Sequence, residues 1–215
     1  MLDNYRPHIP IDPAWPAKQI GELVAINNGI VLTELPDRGT VACIKVSDMN
    51  LPENQREIVT SSHWMQSTTK PLLPVNSVVF PKRGAAIATN KKRITRIPCL
   101  IDNNCMALTV RPDSELVPDY LLYFLLGFDL ASISNSAGIA LINNGDISSV
   151  MIPIPSLAAQ QAIVAEIEAE QKLVAANREL VERFEKKIQT TLARVWGEEE
   201  APEEVTTEPP RRATA

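Results

Sequence analysis

A long segment without glycine or proline, near the C-terminus, constrains the fold most. The extended stretch Ile152-Pro153-Ile154-Pro155 leads directly into residues rich in Ala, Gln, Glu, Lys, Leu and Arg, and the next glycine is Gly197. These residue types favour helix, and about forty residues at ~1.5 Å each make a helix of roughly 60 Å. We therefore predict one long helix over residues 155–196, attached to the preceding domain through a rigid proline junction.

Apolar residues in this helix recur at a strict seven-residue interval. A second line of residues, four positions earlier in each heptad, is half polar and includes Asn177. Because an isolated helix does not keep such a stripe exposed to water, we expect it to pair with another helix in a coiled coil, with Asn177 disfavouring wrong registers. The alternative is a helix folded back onto its own domain. The residues predicted to pair are Ile163, Ile167, Val174, Asn177, Val181, Phe184, Ile188 and Val195.

Residues 17–154 have the pattern of a β-rich globular domain. Short apolar runs bounded by turn residues predict strands, and an apolar-dense segment that starts with Pro118 and Asp119 predicts a buried helix. The expected fold class is α+β, a β-rich domain followed by one long coiled-coil-forming α-helix. An extended leader is expected over residues 1–16, and a disordered acidic tail over residues 197–215. Strands are predicted over residues 41–46, 77–80, 94–101, 105–110 and 147–154.

Positive charge is concentrated in residues 70–111. That segment holds eight lysines and arginines against one acid, Asp102, although the net charge of the chain is −5. A local cationic excess on strand ends and loops is typical of a surface that binds nucleic-acid phosphates, with amide side chains able to read base edges. A solvated surface hairpin is the alternative. The candidate DNA-binding residues are Lys45, Ser61, Gln66, Lys70, Lys82, Arg83, Asn90, Lys91, Lys92, Arg93, Asn103 and Asn104.

Motifs for catalysis or metal binding are missing from the sequence. Neither His8 nor His63 has a second histidine or a cysteine three or four residues away, and the chain contains no GxSxG, P-loop or GxGxxG motif. Three cysteines without a CxxC spacing suggest reduced thiols in a cytoplasmic protein. No apolar run reaches the ~18 residues that cross a bilayer. We therefore expect a recognition protein without an enzymatic activity, metal or cofactor of its own.

Several segments together carry a family resemblance. The most specific is IPIPSLAAQQAIV at residues 152–164, and weaker ones are Trp15 to Leu23, Ile44 to Met49 and Leu73 to Phe80. Over residues 15–196 the chain resembles the target-recognition domain and following helix of a type I restriction-modification specificity subunit. The resemblance implies a subunit that binds double-stranded DNA and reads one half of a bipartite target.

The resemblance also implies partners. Such subunits carry two recognition domains separated by two antiparallel helices that fix the gap between half-sites. N6-adenine methyltransferase subunits, which hold S-adenosylmethionine, dock along the helices, and a restriction translocase subunit joins for cleavage. This chain holds one domain and one helix, so the resemblance implies self-association, pairing with a second half-subunit, or a piece of a longer or fused chain. A coiled-coil scaffold that binds protein and no DNA is the alternative from another class.

Overall fold

The computed structural model describes residues 9–33, 35–135 and 138–196. The chain divides into two compact units, one ending at Ala169 and the other beginning at Glu170, and each is described by itself. The first eight residues of the predicted leader and the predicted tail lie outside the described residues. The α+β class expected from the sequence is confirmed.

In the described residues, the first unit contains ten strands, three short α-helices and the beginning of a fourth α-helix. The strands in chain order are β1 (Ala17–Gln19), β2 (Val24–Asn28), β3 (Val41–Ile44), β4 (Glu57–Ile58), β5 (Trp64–Met65), β6 (Ser77–Pro81), β7 (Arg93–Thr95), β8 (Cys99–Ile101), β9 (Cys105–Val110) and β10 (Met151–Pro153). The α-helices are α1 (Ile20–Leu23), α2 (Pro118–Gly127), α3 (Asn144–Ser148) and α4 (Leu157–Trp196). Single 3₁₀ turns or short 3₁₀ helices span Val46–Asn50, Pro52–Asn54, Gly84–Thr89 and Leu130–Ile133.

Three sheets make up the domain. The main sheet has the order β2-β9-β6-β7-β4, in which every pair is antiparallel except β7 with β4. A second sheet has the order β5-β3-β8, and its pair β3–β8 is parallel. Strands β1 and β10 form an antiparallel pair.

Strand β6 lies in the middle of the main sheet with both faces covered. Val78 and Phe80 on one face join the larger apolar cluster, which contains α2, while Val79 on the other face joins a smaller cluster with β3 and β8. Strand β9 divides in the same way, with Met106 in the larger cluster and Ala107 in the smaller one. Burial on both faces explains why these strands are continuous apolar runs in the sequence.

Two strand predictions are wrong in their extent. The stretch predicted as one strand over residues 94–101 is divided into β7 and β8, which belong to different sheets, and Pro98 between them has no N–H to donate to a ladder. The strand predicted over residues 147–154 is reduced to β10, because Ile147 lies in α3. The predicted buried helix is confirmed as α2, with Pro118 in its first turn.

The start of α4 packs onto the domain. Ile167, with 4% of its surface exposed, belongs to the larger apolar cluster, and Ile163 packs against that cluster. The prediction that Ile167 pairs with another helix is therefore corrected, because its side chain is already buried in its own domain, whereas Ile163 is partly buried and its pairing stays a prediction.

The second unit shows a different distribution of apolar surface. From Glu170 onward α4 keeps large apolar side chains exposed, with exposed fractions of 53% for Phe184, 55% for Ile188 and 71% for Val195. The same exposed class includes Leu173, Leu180, Val181 and Trp196. The apolar stripe seen in the sequence is therefore uncovered over this part of the helix in the single chain.

Candidate nucleic-acid interface

Strand directions bring several loops to one edge of the main sheet. Strands β2 and β6 end there, and β9, β7 and β4 begin there, because β2 and β6 run antiparallel to β9 and β7 runs parallel to β4. Strand β8 leads through a short turn into β9, and its parallel neighbour β3 ends beside it, with Ile44 opposite Ile101. We call this the loop edge. Its polar members are Asn28, Lys45, Asn50, Lys82, Arg83, Lys91, Asn103, Asn104 and Asn144.

The turn between β8 and β9 is at the centre of the loop edge. Oδ1 of Asp102 accepts hydrogen bonds from the backbone N–H of Asn104 (2.8 Å) and from its Nδ2 (2.6 Å). The Asp102 N–H donates to Ile44 O at 2.9 Å, which ties the turn to the end of β3. This turn chemistry is typical of Asp and Asn, and it leaves Asn103 partly exposed at the edge.

Lys82 and Arg83 follow β6 and reach the same edge. The Lys82 N–H donates to Asn104 O at 2.8 Å, and Lys82 O accepts from the Ile142 N–H at 2.9 Å, so the backbone here is held from both sides. Lys82 Nζ donates to Asn28 Oδ1 at 2.7 Å. Burial lowers the pKa of Lys82, and the nearby Arg83 charge acts in the same direction. Arg83 itself is exposed.

Lys91 extends the edge toward β7. Its ammonium donates to Asn50 Oδ1, and both residues line a shallow surface depression together with Gln55 and Arg93. Lys70 lies at the opposite margin, where it lines a depression with Asn27 and Asn28. Basic side chains are thus spaced along the loop edge with amide side chains between them.

Lys92 and Asn90, both predicted to bind DNA, have hydrogen-bond partners inside the domain instead. Lys92 is completely buried, and its Nζ donates to Asn90 Oδ1 and to Phe128 O, each at 2.6 Å. Asn90 has φ of 54°, and its Oδ1 also accepts from the Leu130 N–H at 3.0 Å. Both side chains hold the segment after α2 in place, so we leave them out of the interface.

Arg93 and Ser61 also have partners inside the domain. The Arg93 guanidinium donates to Asn54 O at 2.6 Å and to Met49 O at 3.1 Å, and its burial lowers its pKa. Ser61 is buried, and its Oγ donates to Cys43 O at 2.8 Å. We leave both out of the interface for the same physical reason.

Gln66 is exposed but lies away from the loop edge. It follows β5, whose Met65 pairs with Val41 at the start of β3, whereas the loop edge contains the end of β3. Its Nε2 donates to Arg38 O at 3.3 Å.

Two further cations in residues 70–111, Arg96 and Arg111, do not add to the loop edge. Arg96 donates to Glu57 Oε1 at 2.9 Å and to Asp119 Oδ1 at 2.8 Å, so acids from outside residues 70–111 neutralise it. Burial opposes its charged form, but these two carboxylates outweigh burial and raise the pKa of Arg96. Arg111 follows the far end of β9. The cationic excess at the loop edge is therefore smaller than the sequence indicates.

Comparison with family models identifies the family of this chain. Residues 14–183 match the family model described as the type I restriction modification DNA specificity domain. The chain belongs to this family. Comparison with curated proteins gives no match.

Three solved structures show the same fold. A chain from a study of complex assembly and conformational transition of the type I R-M system has a TM-score of 0.68 at 20% identity, over 87% of this chain and 46% of that chain. The HsdS subunit from Thermoanaerobacter tengcongensis has a TM-score of 0.62 at 22% identity, over 83% and 43%. The S subunit from M. genitalium has a TM-score of 0.55 at 16% identity, over 85% and 46%. This specificity-family chain thus spans less than half the length of those solved chains.

The non-catalytic character predicted from the sequence agrees with this DNA specificity family. Asp48, which follows β3, is buried and accepts hydrogen bonds from the Lys45 N–H (2.7 Å) and the Ser62 N–H (2.8 Å), and it contacts His63 Nδ1. Its hydrogen bonds hold adjacent loops.

Within the described ranges no group of three or more His, Cys, Asp or Glu is placed to hold a metal ion. No helix in the part of the chain that the structure describes is long and apolar enough to span a membrane.

Sequence reasoning missed Asn28, Asn50 and Asn144 as members of the loop edge. A signal for two of them was present, because the tetrapeptide Ile-Asn-Asn-Gly occurs at residues 26–29 and again at residues 142–145. Both copies end at the loop edge, where the second asparagine of one contacts the second asparagine of the other.

Proposed function

We propose that this chain is a non-catalytic DNA-recognition component of a type I-like restriction-modification complex, and that it reads one half of a bipartite target. The observation that carries the proposal is the loop edge, where basic and amide side chains from separate strand ends occur together. Lysines and arginines that are exposed or partly exposed at one edge can contact several phosphates and fix the position of the domain on DNA. Amide side chains between them can then reach base edges in the major groove.

The four basic residues proposed as phosphate contacts are Lys45, Lys82, Arg83 and Lys91, with Lys70 at the margin. The amide residues Asn103 and Asn104 are proposed to face the groove from the central turn. We assign recognition to a domain over residues 17–154, preceded by a leader over residues 1–16. The helix over residues 155–196 is proposed as the spacer and pairing element, and residues 197–215 as an acidic tail.

Pairing through the helix follows from its exposed apolar surface. Val174, Val181, Phe184, Ile188 and Val195 repeat every three to four or seven residues, and four of these five are exposed. Burying them against a second helix would remove a large apolar area from water. If two copies pair antiparallel, the assembly has twofold symmetry and the DNA target is an interrupted palindrome. A second half-subunit of different sequence would give an asymmetric target instead.

The proposed assembly also includes an N6-adenine methyltransferase subunit docked along the paired helices. That subunit would bind S-adenosylmethionine and supply the methyl-transfer chemistry, and a restriction translocase subunit would join for cleavage. We place the complex in the cytoplasm, where the three buried cysteines would stay reduced. Burial raises the pKa of Cys99 and of Cys105 to about 12, which keeps both thiols protonated and unreactive.

Methylome sequencing of cells with and without this protein tests the proposal. We expect a set of N6-methyladenines in one gapped motif that disappears with the protein, and the symmetry of the motif reports how two recognition domains are paired. Binding assays with the chain assembled with its methyltransferase should show salt-dependent affinity for duplex DNA. Absence of DNA affinity in any assembly at low salt would favour the scaffold alternative.

A further inference from the structure

Two copies of the tetrapeptide Ile-Asn-Asn-Gly meet at the loop edge, although they lie far apart in the sequence. The first copy ends β2 and the second leads into α3. In both copies the isoleucine is at least partly buried and the second asparagine is exposed. Asn28 Nδ2 donates to Asn144 Oδ1 at 2.9 Å, which joins the two copies directly.

Lys82 extends this contact into a chain of three side chains. Its Nζ donates to Asn28 Oδ1 at 2.7 Å, so the asparagine oxygen must face the lysine and its nitrogen must face Asn144. The three residues come from the end of β2, the segment after β6 and the first residue of α3. Their hydrogen bonds orient both amides.

The hydrogen bond from Asn28 uses only part of the hydrogen-bonding capacity of the Asn144 amide. Among the described residues, Asn144 Oδ1 accepts one hydrogen bond and its Nδ2 makes none. A primary amide carries two N–H donors and two acceptor lone pairs. The exposed side chain therefore still presents a donor and an acceptor side by side.

Adenine offers the complementary pattern in the major groove, with N7 as an acceptor and N6–H₂ as a donor. Resting on the proposed function, we propose that Asn144 is a base-reading residue specific for one adenine of the target, and that Asn28 and Lys82 position it. Asn144 donates from Nδ2 to N7 and accepts at Oδ1 from N6. The bound base replaces water at an amide that is already oriented, so little side-chain entropy is lost on binding.

The test is selection from a randomised duplex library with the chain assembled with its methyltransferase, followed by sequencing of the bound fraction. Asn144→Ala should relax the preference for adenine at one position of the motif and leave the others unchanged. Removing a bidentate interaction with a base corresponds to a decrease in discrimination at that position of about 5- to 150-fold. Asn28→Ala should relax the same position by a smaller factor.

Two further variants complete the test, one as a substitute if Asn144→Ala disturbs the fold and one as a control. Asn144→Asp keeps the acceptor for Asn28 Nδ2 but removes the donor to adenine N7, so it should relax the same position. Gln161→Ala removes an exposed amide from α4 and should leave the whole motif unchanged.

Three results would overturn the assignment. These are an unchanged motif in Asn144→Ala, an equal decrease of binding across all sequences, which would indicate a phosphate contact, and relaxation at a position that is not adenine. A wild-type assembly that selects no sequence would contradict the proposed function itself. That result is therefore distinguishable from failure of this assignment alone.

Discussion

Gln160, near the start of α4, accepts a hydrogen bond at Oε1 from the backbone N–H of Val117, the residue before α2, at 2.9 Å. Its Nε2 donates to Glu115 O at 2.8 Å and to Pro155 O at 3.0 Å. The side chain is completely buried, and these bonds satisfy it. One amide thus connects the first turn of the long helix to the proline junction and to the loop before α2.

Replacing this amide should destabilise the domain. Gln160→Leu removes three hydrogen bonds and leaves three backbone groups, at Glu115, Pro155 and Val117, without this partner, so we expect a decrease of about 2–4 kcal/mol in the free energy of unfolding. Urea unfolding followed by circular dichroism measures the change. The neighbouring exposed residue supplies the control, because Gln161→Ala should change stability by less than about 0.5 kcal/mol. Equal stability of the two variants would contradict the role of Gln160.

Two apolar positions of α4 should respond in opposite ways to substitution. Ile167→Ala removes a buried side chain from the domain core and should cost about 2–4 kcal/mol of stability. Phe184→Glu changes an exposed side chain and should leave the unfolding of the single chain nearly unchanged while it weakens self-association at least tenfold. Sedimentation equilibrium and urea unfolding of both variants separate the two effects.

Glu185→Ala is the matched control for helix pairing, since it changes an exposed polar neighbour of Phe184. It should preserve the association constant of the wild-type chain. A wild-type chain that stays monomeric at high concentration, with no second half-subunit as partner, would argue against the proposed pairing.

Basic residues of the loop edge should set the salt dependence of DNA binding. Lys82→Ala and Arg83→Ala should each lower the magnitude of the slope of log affinity against log salt concentration by about one for each phosphate that is no longer neutralised. Fluorescence anisotropy with the assembled complex at several salt concentrations gives this slope. Arg111→Ala, at the far end of β9, is the control and should leave the slope unchanged. A slope that falls equally in all three variants would exclude a localised interface.

Lys91 and Lys92 are adjacent in the sequence but should behave differently. Lys92→Met removes a buried ammonium from Asn90 and Phe128, so we expect a decrease of about 1–3 kcal/mol in stability and an unchanged salt slope. Lys91→Met should keep stability within about 0.5 kcal/mol and reduce the slope. Measuring the stability and the salt slope of both variants tests which lysine stabilises the fold and which contributes to DNA binding. The reverse pattern would contradict the assignment.

The Glu57 carboxylate should make part of the free energy of unfolding depend on pH in the acid range. Burial disfavours its charged form, but hydrogen bonds from Arg96 and then Arg56 outweigh burial and lower its pKa. A carboxylate whose pKa is lowered by folding stabilises the protein, and this contribution is fully present at pH values above the unfolded-state pKa of about 4.3. That contribution is lost as the pH falls through the folded-state pKa.

Substitution tests this dependence. Urea unfolding between about pH 3 and pH 6 should show a smaller decrease in stability on acidification for Glu57→Gln than for the wild-type chain. Glu53→Gln, an exposed neighbour, should follow the wild-type curve. Identical acid dependence in the wild type and Glu57→Gln would show that the Glu57 carboxylate does not contribute through its ionisation.

The sequence alone determined the long helix, the β-rich domain and the family resemblance, because each of these depends on local patterns. Helix-forming composition without glycine or proline predicted α4, and the apolar residues at β6 and β9 predicted strands. The apolar run followed by Pro81 correctly indicated that Lys82 and Arg83 follow a strand end, since β6 ends at Pro81.

Only the tertiary structure decided which residues are available at the surface. Lys91, Lys92 and Arg93 form one cationic run in the sequence, yet Lys92 is buried and Arg93 donates to backbone carbonyls. Ile167 and Ile188 occupy equivalent positions in the seven-residue repeat, yet Ile167 is buried and Ile188 is exposed. The physical reason is that burial and hydrogen bonding depend on neighbours distant in the sequence, and strand order, which local patterns do not encode, brings those neighbours together.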